Sequence, residues 1–275
     1  MIKDINFVSK FSKANVVSVA IFILSLIFIT FKGLNYGIDF KGGTLIELRT
    51  DKSIQASSIR DTLNSMNLGD INVKKFGKDG DYLIKVEQKN TNNSDLIPKI
   101  KKTLKDNLNT DIDFRRVENV GPKVSSELLD SSIIAISLAL AAMLFYIWVR
   151  FEWQFSVGSI IALFHDVVIT LGIFSLLSLE INLSIIAAVL TIVGYSMNDT
   201  VVIYDRIREN LLKYTKISIS DVSNLSINET LSRTIITSVT TLLALSSIYI
   251  LGGEILRGFS FAMILGVIIG TYSSI

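Results

Sequence analysis

Apolar and polar positions follow two different rhythms along this chain. Six apolar runs are long enough to cross a hydrocarbon core, which takes about 17–25 helical residues. They cover residues 16–31, 131–149, 155–177, 181–204, 234–251 and 258–275. The first is short, and Lys13 and Lys32 are placed to snorkel at its ends. Between the first and second runs the period shortens. Residues 44–48 alternate as a strand, and 56–66 carry Ile59, Leu63 and Met66 at helical spacing. Residues 71–76 and 82–87 read as two strands joined through Gly77-Lys78-Asp79-Gly80, a hairpin signal. Residues 95–108 place Leu96, Ile100, Leu104 and Leu108 on one helix face, and 111–117 alternate again. The order β-α-β-β-α-β is that of a ferredoxin-like sandwich. Pro122 suits the first position of a helix that runs on into the second span.

Composition sharpens this picture. Of 275 residues 49% are hydrophobic and 19% charged, and 32 of the 52 charged side chains fall within residues 32–130. The chain thus reads as a polytopic α-helical membrane protein with six transmembrane helices and one α+β ferredoxin-like external domain. No Cys and a single His exclude disulfides, Fe–S clusters and a Cys/His zinc site, and neither cofactor nor metal is expected. A net charge of +2 is too small a footprint for nucleic acid. Lys99, Lys101, Lys102 and Lys105 are balanced by nearby acids and read as a solvated helix face.

Basic residues set the expected orientation. Lys3, Lys10, Lys13, Arg150, Arg206, Arg208, Lys213 and Lys216 lie in short segments on one side, against Arg257 on the other. Residues 1–15 and the 205–231 loop are therefore expected in the cytoplasm and 32–130 outside. The first run lacks a small-x-small cleavage site after Phe31 and reads as a retained anchor. The last run reaches Ile275 with no closing basic residue, so the natural chain is expected to continue.

Charges at membrane depth are costly, so each one kept there needs a reason. Asp166, beside His165, lies eleven residues past Phe155, about 16 Å into the third span by helical rise. Asp199, flanked by Asn198 and Thr200, lies about 9 Å along the fourth span from Asp205. Arg233 opens the fifth span after a Ser226-x-x-Glu229 capping pattern, and Arg233, Thr237, Thr240 and Ala244 share a face. Asp199 and Arg233 thus lie at similar depth on consecutive spans, where acid and base can meet. The bland alternatives are a structural ion pair, an arginine snorkelling to phosphate, and a His165–Asp166 pair that bonds a neighbouring helix. The functional reading is a proton-coupling set: Asp199, Arg233, Asp166, His165, Asn198, Thr200 and Thr237. In the sixth span Gly258, Ala262, Gly266, Gly270 and Ser274 form a ridge of small residues. It admits a close helix neighbour, from this chain or from a partner.

Several motifs resemble those of the SecD/SecF family of bacterial protein-translocase subunits, within the RND transporter superfamily. They are Gly37-Ile38-Asp39-Phe40-Lys41-Gly42-Gly43-Thr44, Val120-Gly121-Pro122, His165-Asp166-Val167, the run from Gly194 to Asn210, and Leu231-Ser232-Arg233-Thr234. Lys41 departs from the small or polar residue expected there. The resemblance, which lies on the SecF side of the family, implies half of an RND-type transporter in the bacterial cytoplasmic membrane. It implies a non-enzymatic subunit that pairs with SecD and uses the proton gradient to draw translocating polypeptide from the SecYEG channel. It also makes Asp199 the proton carrier and Arg233 its partner. Two other functions compete: half of an RND exporter of lipids or small molecules, and an intramembrane aspartyl protease using Asp166 and Asp199. The protease reading lacks its Gly-x-Gly-Asp motif, and Arg233 would disturb a dyad that shares one proton.

Overall fold

The structure, a computed structural model, describes residues 5–51, 54–66, 68–75, 77–87, 96–108 and 112–275. Phe76, Asp95 and Asp111, at the edges of expected elements, lie outside the described residues. The chain divides into two compact units, one holding residues up to Asn35 together with Ala135–Ile275, the other Tyr36–Ile134.

A short 3-10 turn, Val8–Lys10, leads into helix α1 (Phe11–Lys32), after which the chain enters the α+β unit. One helical turn, Ile38–Lys41, leads through Gly42 and Gly43 into strand β1 (Gly43–Arg49). Gly43 has φ of +139°, and a Cβ there would lie 2.5 Å from the Val86 carbonyl oxygen, so only glycine fits this entry to the strand. Helix α2 (Ala56–Asn64), strands β2 (Asp70–Lys75) and β3 (Asp81–Glu87), helix α3 (Leu96–Leu108) and strand β4 (Asp113–Val120) follow. The sheet order is β2-β3-β1-β4 with antiparallel neighbours, the ferredoxin-like arrangement. The register sets Ile46 opposite both Ile84 and Val117, and Val73 opposite Ile84. These residues share one sheet face, and the core closes over them with Ile59 and Leu63 from α2 and Ile100 and Leu104 from α3. Lys41, the residue that departs from the family pattern, pairs with Glu87 at 3.2 Å. Asp81, 6% exposed, takes a two-pronged bond from Arg49, whose Nη2–Oδ2 distance is 2.8 Å. That guanidinium holds the Asp81 carboxyl below the usual carboxylate range.

Helix α4 (Pro122–Arg150) starts at the proline, whose missing N–H costs nothing in a first turn. Helices α5 (Trp153–Leu176), α6 (Leu183–Lys213), α7 (Ile219–Leu251) and α8 (Gly253–Ser274) complete the chain. With α1 and α4 they give, among the described residues, six helices long and apolar enough to cross a membrane. Helix α1 lies close against α5: a Cβ on Gly172 would fall 2.3 Å from that of Ser25. The end of α4 joins α5 and α6 in an apolar cluster of Ile147, Phe151, Leu163, Val193 and Met197. Helix α8 runs parallel to α6 in a register that shifts by one residue along it: Gly258 faces Ile185, Gly266 faces Ile192 and Gly270 faces Ser196. The small-residue ridge is thus filled by a helix of the same chain.

The polar stretch expected as a loop over 205–231 is helical except for residues 214–218. Helix α7 begins at Ile219, capped by Ser218, which accepts from the Asp221 amide at 3.1 Å. Ser226 and Glu229 are therefore inside the helix and cap nothing. Ser226 accepts from Asn210 at 3.0 Å, and Glu229 takes bonds from Asn210 and Arg206 at 2.7 and 2.6 Å. These cross-links between α6 and α7 let both helices outlast their apolar runs. Helix α7 also holds Ile5 and Phe7, ahead of α1. Asn228 exchanges bonds with the Ile5 backbone at 3.0 and 2.8 Å, and Asn224 accepts from the Phe7 amide at 2.8 Å.

A candidate proton-coupling site

Asp166 is fully buried on α5. Its Oδ2 accepts from Ser196 on α6 at 2.6 Å and from Ser273 on α8 at 2.8 Å, while Oδ1 is 3.0 Å from His165 Nδ1. The His165 ring stacks on Phe22 of α1, with planes 7° apart, and its Nε2 is buried with no hydrogen-bond partner. One carboxyl thus draws together donors from α5, α6 and α8. Ser196 and Ser273 were not visible as site residues, because hydroxyls are common in apolar helices and only tertiary packing aims these two at one oxygen.

Asp199 is 3% exposed and lies one turn along α6 from Ser196. Among the described residues its Oδ2 is buried without a hydrogen-bond partner, and Oδ1 accepts from the Asn198 amide at 3.5 Å. Thr200, next in sequence, is buried and bonds the Ser196 carbonyl and Ser274 Oγ, each at 3.1 Å. Arg233 is exposed on α7 and makes no ion pair with Asp199 among the described residues. Thr237 turns its hydroxyl back to the carbonyls of Arg233 and Thr234, both at 3.0 Å. Thr234 is itself buried, with an unpartnered Oγ1. Ser238 and Thr271 meet at 2.7 Å and tie α7 to α8 beside this layer. The structure therefore brings Asp166, Thr200, Asp199, Gly266 and Gly270 into one packed core, whereas Asn198 and Arg233 stand at its exposed edge and Gly258 lies exposed further along α8.

The two aspartates are not paired as a protease dyad would be: the hydrogen-bond partners of Asp166 are His165, Ser196 and Ser273, and Asp199 is not among them. Among the described residues no group of three or more His, Asp or Glu side chains is placed to hold a metal.

A six-helix membrane protein with one ferredoxin-like α+β unit and carboxyls buried between its spans is the class these features define. Comparison with known proteins narrows it. The profile for "Protein export membrane protein SecD/SecF, C-terminal" matches residues 99–275, and that for the "SecD/SecF GG Motif" matches 27–54. The chain belongs to the SecD/SecF family. It is 47% identical over 259 residues to the protein translocase subunit SecF of Rickettsia bellii, covering 94% of this chain and 86% of that one. The SecF of Cereibacter sphaeroides is 46% identical over 252 residues, covering 88% and 78%. Among solved structures, SecDF of Thermus thermophilus, described as a translocon-associated membrane protein, superposes with a TM-score of 0.90 at 34% identity. SecDF in a super-membrane-facing form gives 0.71 at 35% identity. Both superpositions cover this whole chain, which spans 37% and 38% of the length of those two chains.

Proposed function

We propose that this chain is an accessory subunit of a bacterial protein translocase that couples the proton gradient to polypeptide export. It sits in the cytoplasmic membrane with its N-terminus inside, pairs with SecD and acts beside the SecYEG channel. Its work is conformational, not catalytic. The names and coverage of its relatives support the assignment, and the observation that carries the coupling is Asp199. A carboxyl sealed within a membrane helix, one oxygen unpartnered, changes its surroundings by a full charge whenever it takes or loses a proton. As Arg233 approaches or withdraws, the balance between loaded and empty carboxyl changes. Asn198 and Thr200 flank Asp199 in α6, Thr237 lies one turn beyond Arg233 along α7, and the His165–Asp166 pair braces α6 through Ser196. A proton falling through ~100 mV supplies about 2.3 kcal/mol, enough to bias two packings that differ by a few kcal/mol.

The test is export from membrane vesicles carrying the full complex under an imposed proton gradient. Asp199→Asn is expected to assemble normally and to lose the gradient-dependent stimulation; Asp199→Glu retains part of it, and Arg233→Ala loses it. Gradient-dependent export at the parent rate by Asp199→Asn would make the acid structural and end this reading.

A further inference from the structure

Asp166 is arranged differently from Asp199. Asp199 has an oxygen with no partner, whereas Asp166 has accepted every donor within reach, from three helices at 2.6 to 3.0 Å. Two hydroxyls from different helices that donate to one carboxyl oxygen fix both helices relative to one point. One of them, Ser196, is three residues before Asp199. The other, Ser273, is next to Ser274, which reaches Thr200 at 3.1 Å and the Ser196 carbonyl at 3.3 Å. The turn from Ser196 to Thr200 is thereby held at both ends, and Asp199 is the residue between them. Gly270 makes this possible, since its missing side chain lets Ser196 come within 3.0 Å of where a Cβ would be.

We propose that Asp166, through Ser196 and Ser273, is the positioning residue that sets where Asp199 sits between α5 and α8, and carries no transported proton itself. This rests on the reading of Asp199 as the coupling residue. Removing the two hydroxyls leaves both aspartates in place but frees the turn, so Asp199 spends less time in the geometry that exchanges protons on cue. The consequence is a response that needs a larger gradient.

The experiment measures export against imposed pH difference in vesicles containing the full complex, for Ser196→Ala with Ser273→Ala, for Ser196→Thr with Ser273→Thr, for Asp166→Asn and for Asp199→Asn. The double alanine variant should need at least twofold more gradient for half-maximal stimulation, and the double threonine variant, which keeps the hydroxyls, should return towards the parent value. Should the double alanine variant fail to accumulate, Ser273→Ala alone, which spares the Ser196 bond, must show the same shift in smaller measure. A parent-like gradient response in the alanine variants overturns the proposal. So does complete loss in Asp166→Asn beside an unchanged response in the alanine variants, since that would make Asp166 a proton carrier. If Asp199→Asn itself keeps the gradient response, it is the coupling reading that fails. Loss in Asp199→Asn with no shift in the serine variants removes the positioning role alone.

Discussion

Lys85, on the sheet face of β3 away from the helices, shows how far one residue's surroundings can depart from its sequence context. Burial, with the charge of Lys74 as a second influence, pushes its ammonium down to about 8 from an ordinary 10.5. Between those values the unfolded chain binds the proton more readily than the folded one, so stability rises with pH across that window and is lowest below about pH 8. Lysine NMR should show one midpoint near 8, and Lys85→Met should flatten the rise in resistance to proteolysis of the α+β unit from pH 7 to 10. A midpoint with the other lysines would show that the site is better hydrated than the structure has it. Nothing in the alternation of β3 marks Lys85 as special; the same holds for Ser196 and Ser273. Charged residues inside apolar runs were legible because the bilayer makes every one expensive. Polar residues that matter by meeting others across helices were not.

Elements were legible where their signal is local. The hairpin over Gly77–Gly80 follows from its glycines, and the helix start at Pro122 from its proline. The ends of α6 and α7 were not, because their polar extensions depend on cross-links such as Arg206–Glu229 that no single helix encodes. The ridge on α8 was plain in its four-residue spacing, but its occupant was not, since Ile192 looks like any other apolar residue of α6. That contact now gives a graded expectation. A Cβ at Gly266 would lie 2.2 Å from Ile192 Cγ1, whereas one at Gly258 would meet Ile185 at an ordinary 3.5 Å. Gly266→Leu should therefore destabilise the bundle by about 1–3 kcal/mol or more, as overpacking does, and Gly258→Leu by clearly less. Thermal unfolding of the full chain in detergent measures both. Equal effects would show that α6 and α8 are looser than the register implies.

At the scale of the molecule, the proposed orientation sets residues 32–130 outside and the 205–231 segment in the cytoplasm, on an even count of spans and the bias of basic residues. The chain has no native cysteine, so single cysteines at Ser57 and Lys216 report cleanly. They should label from opposite faces of sealed vesicles; labelling from the same face would refute the topology. Helices α6 and α7 would then project on the cytoplasmic side, since 31 and 33 residues amount to about 46 and 50 Å against a hydrocarbon core of ~30 Å. The α6–α8 contact also fixes an axial setting. Ile192 fits the space left by Gly266, where a Cβ would lie 2.2 Å from it, and the next small residue of the ridge comes only about 6 Å of rise further along. Like a key cut for one lock, the pair seats at a single depth, and a side chain in that notch would hold the two helices apart.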